Sequence, residues 1–147
     1  MNTTLNTGLI VGAISSIFLA ILATNGDFGG SPIKYVRYII IMLCLIIFYR
    51  NNIKKWSYKA FMPKFIGSAF RIALISGVMV ALTNTILFLI NPSFSIQKYN
   101  LLPESFGQLL MIDFVLIIEM IVLGLLTSFI IFPLYKNYPK EKRIKDA

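Results

Sequence analysis

Apolar and polar positions alternate along this chain in blocks far longer than the period of a soluble helix. Leu5 to Thr24 runs for 20 residues without a charge, long enough as a helix to cross the ~30 Å of a bilayer core. A short stretch rich in turn formers follows, Asn25-Gly26-Asp27-Phe28-Gly29-Gly30-Ser31. Ser31-Pro32 then has the form of an N-cap and first-turn proline. The pattern predicts a second helix over 32–49, a third over 65–90 ending at Asn91-Pro92, and a fourth over 106–135 with Pro133 near its end. The uncharged part of the second, Tyr38 to Tyr49, is too short to span alone. Lys34 and Arg37 are therefore expected to snorkel at the outer interface, with Tyr35 and Tyr38 in the aromatic belt there and Phe48 and Tyr49 in the opposite one.

The longest polar run separates two apolar halves. Residues 50–64 carry Arg50, Lys54, Lys55, Lys59 and Lys64, with no acid. Trp56, Tyr58, Phe61 and Phe65 interleave with these cations, the pattern of a segment lying in the headgroup plane. Plain interfacial anchoring explains it; recognition of anionic lipid through Lys54, Lys55, Lys59 and Lys64 is the sharper alternative. Five more cations lie in the tail over 136–147. With these and Arg71 on one side, and Lys34, Arg37 and Lys98 on the other, the distribution is eleven against three. Positive residues favour the cytoplasmic side. The expected architecture is therefore an all-α membrane protein, one domain of four transmembrane helices, both termini inside, with a basic cytoplasmic connector between the second and third helices. Met1 to Asn6 lacks a cation and no clear small-x-small cleavage site follows the first apolar run, so that run reads as a retained helix rather than a signal peptide.

Composition agrees. Of 147 residues 57% are hydrophobic and 14% charged, and mean hydropathy is +0.78; a soluble domain has about 25% charged residues. The net charge of +8 would suggest nucleic acid in a soluble protein. Here the cations sit at the ends of apolar runs, where membrane orientation explains them, and no nucleic-acid partner is expected. Cys44 is the single cysteine and histidine is absent, so neither an intrachain disulfide nor a His-based metal site or triad can form. No phosphate loop, Gly-x-Ser-x-Gly or Cys-x-x-Cys occurs. The expectation is a non-enzymatic chain without cofactor or metal.

Small residues recur every fourth position at Gly8, Gly12, Ser16, Ala20 and Thr24, and again at Ala69, Ala73, Gly77, Ala81 and Thr85. Such stripes let helix backbones approach closely in lipid. They are expected to face protein, and the two stripes are candidates to face each other.

Two acids fall inside the fourth helix. Asp113 lies near its outer edge and Glu119 near mid-membrane. Six residues at 100° each set them 120° apart, so they do not form a paired-carboxylate site. A carboxyl at that depth must face protein or water, find a partner or be protonated. Asp113 is expected to pair with Arg37. The expected partners of Glu119 are hydroxyls on the first and third helices: Ser15, Ser16, Ser76 or Thr83. Asn84 is a further buried polar group, read as helix glue.

Gly67-Ser68-Ala69-Phe70-Arg71-Ile72-Ala73 and Ile118-Glu119-Met120-Ile121-Val122-Leu123-Gly124-Leu125-Leu126-Thr127-Ser128 resemble stretches of a family of small uncharacterised four-helix membrane proteins of Bacteroidota-type bacteria. Arg71 stands where that family tends to have Lys, and Ala73 where it has Gly. The resemblance implies four helices in a bacterial inner membrane and no reaction. Three functional readings stand beside this: a chain acting through helix association, as a homo-oligomer or with a membrane-protein partner; a small ion-coupled carrier using Glu119; and a lipid-binding or signalling adaptor, which rests on the basic connector alone.

Overall fold

A computed structural model of the chain describes residues 3–24, 36–56, 61–94 and 105–135. Among them lie four helices, α1 (Thr3–Thr24), α2 (Val36–Asn52), α3 (Phe61–Ile90) and α4 (Phe106–Tyr135), with short 3-10 turns at Ile53–Lys55 and Pro92–Phe94. No strand occurs among the described residues. The Ser31-Pro32 cap, Lys34, Tyr35, Lys59, Lys98 and the basic tail lie outside them.

Local chemistry sets several ends. The Ser105 hydroxyl oxygen accepts the Gln108 N–H at 3.3 Å, an N-cap on α4. At the far end of α3, the Asn91 side-chain oxygen accepts both the N–H and the hydroxyl of Ser93, while Pro92 cannot continue the helix. The α3 helix begins four residues before the expected Phe65. Pro63 is its third residue, where the missing N–H has no intrahelical partner to lose.

Three helices are long and apolar enough to cross a membrane: Thr3–Leu22, Phe61–Ile90 and Phe106–Tyr135. The described part of α2 is a shorter apolar helix of 17 residues, about 25 Å at 1.5 Å per residue. Large apolar side chains point outward on every helix, among them Ile17, Leu43, Leu82 and Phe129. A water-soluble chain rarely exposes so continuous an apolar surface, and hydrocarbon is the solvent that tolerates it.

Side-chain register gives the helix directions. Gly8 stands against Ile75, and Gly12 against Ser76 and Met79, so α1 and α3 are parallel. Gly77 faces Ile117 and Met120, and Gly124 faces Ala73, so α4 is antiparallel to α3. Tyr38 meets Glu119 and Tyr49 meets Ser128, so α2 is parallel to α4. The chain runs up, down, up, down, with the start of α1, the end of α2, the start of α3 and the end of α4 directed alike. The α3 helix is central, packed closely on α1 and α4, while α2 approaches α4 and α1 more loosely.

The two small-residue stripes do not face each other. Gly8 and Gly12 meet Ile75, Ser76 and Met79 of α3, whereas Ala73 and Gly77 meet α4. One residue is 100° of helix turn, so Ser76 and Gly77 open onto different neighbours. Ser16 and Ala81 are buried on these helices.

The end of the bundle near the α2–α3 connector is plugged by aromatic rings. Tyr49 stacks on Phe65 at 3.8 Å and 4°, and Trp56 stands edge-on to Tyr49, Phe61 and Phe65. Tyr49 is buried rather than in an interfacial belt, and Phe61 and Phe65 belong to the core rather than to a surface connector. Burial is possible because the Tyr49 hydroxyl donates to the Phe65 carbonyl at 2.9 Å and lies 2.7 Å from Ser128 Oγ. Ser128 Oγ is also 3.0 Å from the Gly124 carbonyl, so its one proton serves either acceptor. A Tyr49→Phe variant should keep the stack and lose about 1 kcal/mol, read as a lowered unfolding midpoint in detergent. An unchanged midpoint would show that the hydroxyl contributes nothing.

Candidate functional site: two intramembrane carboxyls

Asp113 lies in the second turn of α4 and is buried. Its Oδ1 accepts from Asn84 Nδ2 at 2.7 Å, and its Oδ2 accepts from Thr85 Oγ1 at 2.6 Å. Two successive residues of α3 thus supply one donor to each carboxyl oxygen. Asn84 is fully buried, so the pair replaces water on both sides of the contact. The expected partner, Arg37, sits beside Tyr38 and hence level with Glu119. That is six residues, about 9 Å, along α4 from Asp113, and its side chain lies outside the described residues.

Glu119 stands near the middle of α4 and is half-buried. Its Oε1 accepts a hydrogen bond from the Tyr38 hydroxyl. The hydroxyls expected to serve it are placed otherwise. Ser76 donates to the Ala73 carbonyl at 3.0 Å and Thr83 to the Met79 carbonyl at 2.9 Å. Ser15 and Ser16 on α1 have buried hydroxyls with no hydrogen-bond partner among the described residues. The 120° between the acids has a structural counterpart: Asp113 is turned to α3 and Glu119 to α2. They do not converge on one cavity. Among the described residues no three potential metal ligands come together.

Thr85 and Tyr38 are the site residues that sequence reasoning did not assign. Thr85 appeared only as the end of a small-residue stripe. Tyr38 was placed in an aromatic belt because α2 was expected to start at Pro32 and cross as a full span. A usable signal existed: Tyr38 is eleven residues from Tyr49, about 16 Å, or half the hydrocarbon thickness. With Tyr49 at the connector end of α2, Tyr38 falls half a bilayer core away, beside Glu119.

At the connector end, Lys54 and Lys64 are exposed, as are Arg50 and Arg71. The Lys55 and Lys59 side chains lie outside the described residues. Compared with known protein families, curated proteins and solved structures, the chain finds no match, and the site is read from its own geometry.

Proposed function

We propose that the chain is a multi-pass protein of the bacterial inner membrane, with both termini cytoplasmic, whose role is non-enzymatic and exerted through helix–helix association with a second copy or another membrane protein. The observation that carries this reading is the separate pairing of the two intramembrane carboxyls. Asp113 is bonded to Asn84 and Thr85 of α3 and Glu119 to Tyr38 of α2, so the two carboxyls tie α4 to different helices, which is the arrangement of polar clamps rather than of a shared acid–base site. The eleven-to-three cation asymmetry supports the cytoplasmic placement of the ends. The resemblance over 67–73 and 118–128 supports the bacterial membrane.

The second reading is a small ion-coupled carrier. The half-buried position of Glu119 and its bond to the loosely packed α2 favour it. One experiment separates the two. Purified chain is reconstituted in liposomes, and proton-linked flux and oligomeric state are followed for wild type and Glu119→Gln. The clamp reading expects a defined complex and no flux from either protein, because Gln keeps an acceptor for Tyr38. Flux in wild type that vanishes in a normally folded Glu119→Gln protein overturns it in favour of the carrier.

A further inference from the structure

Along α3, Lys64, Gly67, Arg71, Leu74, Val78 and Leu82 follow one another at steps of three or four residues, which keeps them on one helix face. This face points away from both α1, which takes Ile75, Ser76 and Met79, and α4, which takes Ala73 and Gly77. Lys64 and Arg71 are exposed. Gly67, between them, has no atom of another described residue within 4 Å of where a Cβ would stand, so a gap on this face is flanked by two cations. Beyond Arg71 the same face is apolar and exposed: Leu74 at 37%, Val78 at 40% and Leu82 at 58%. The order along the helix is two positive charges with a gap between them, then about three turns of bare hydrocarbon.

We propose that this face binds one anionic phospholipid. Its phosphate sits over Gly67 between Lys64 and Arg71, and an acyl chain lies along Leu74, Val78 and Leu82. Charge complementarity selects the head group, and the continuous apolar strip selects a lipid over a soluble anion. The guanidinium of Arg71 offers a fork of donors to phosphate oxygens, and Lys64 a point charge. Gly67 lets the head group come close because no side chain occupies the space. The inference rests on membrane residence and is independent of how Glu119 acts.

The test is native mass spectrometry of the full chain in detergent, titrated separately with dioleoyl phosphatidylglycerol and dioleoyl phosphatidylcholine. Wild type should retain phosphatidylglycerol preferentially. Each cation near an anionic head group contributes on the order of fivefold in affinity, so the double variant Lys64→Gln, Arg71→Gln should lose about 30-fold with phosphatidylcholine binding unchanged. Gly67→Leu keeps both charges and fills the gap, on a face where a Cβ meets nothing among the described residues, and with an unfolding midpoint equal to wild type it should lose the same preference. Arg50→Gln, exposed at the same end but on α2, should not. Retention of the preference in the double variant or in Gly67→Leu, or an equal loss in Arg50→Gln, overturns the site in favour of diffuse surface charge. Displacement of phosphatidylglycerol by excess inorganic phosphate overturns the assignment to lipid.

Discussion

Replacing Asp113 with leucine is expected to lower the stability of the bundle by about 3 kcal/mol, since each buried donor left without an acceptor costs roughly 1–3 kcal/mol. The substitution removes the acceptor of Asn84 Nδ2 and of Thr85 Oγ1 together. The Asn84 donor cannot turn to water, because Asn84 is fully buried; Thr85 is half-buried and contributes the smaller share of the loss. Asp113→Asn is the informative companion. Its carbonyl oxygen still accepts from Asn84, and its amide can donate to the Thr85 hydroxyl, which is able to accept; the loss should stay within about 1 kcal/mol. Unfolding of the purified chain in mixed micelles measures both. A leucine variant as stable as wild type would mean that the clamp holds nothing.

The second large effect is expected at the α3–α4 contact. A Cβ on Gly124 would lie 2.6 Å from the Ala73 Cβ and 3.5 Å from the Ala69 carbonyl oxygen. The Ala73 carbon is fixed to backbone and cannot swing aside, so Gly124→Ala must push the helices apart, at about 1–3 kcal/mol. Ala73→Gly removes the obstructing methyl at a cost near 1 kcal/mol in helix preference. The double variant should recover most of the Gly124→Ala loss, giving a coupling of at least about 1 kcal/mol between the sites. Additive losses would refute direct contact. Gly67→Ala is the contrast: with open space around it, the change should be neutral or slightly stabilising through helix preference. Leucine at Gly12 or Gly77 should also destabilise, since a Cβ there already meets Met79, Ser76 or Ile117 too closely.

These expectations show which parts of the molecule can be read along the chain. The three long spans were legible because bilayer thickness imposes a length that no other environment demands. The angular separation of Asp113 and Glu119 was legible because it depends only on helix geometry within one element. The inward facing of Gly8 and Gly12 followed from the spacing of small residues. The partner of each group was not legible. Ser76 and Gly77 adjoin in sequence yet serve different helices, and no periodicity in α3 says which neighbour lies on which side. Tyr49 and Phe65 carry the composition of an interfacial belt, and the burial of Tyr49 depends on the Phe65 carbonyl and Ser128, contributed by two other helices.

The sequence by itself determined that this is a helical chain suited to hydrocarbon and where its long spans lie. Those properties follow from local composition and the fixed rise and turn of a helix. Only the tertiary structure decided that Asp113 is held by Asn84 and Thr85, Glu119 by Tyr38, and the α3 stripe by α4. Those pairings depend on the rotation and axial offset of one helix against another, and these are set by packing across the whole bundle.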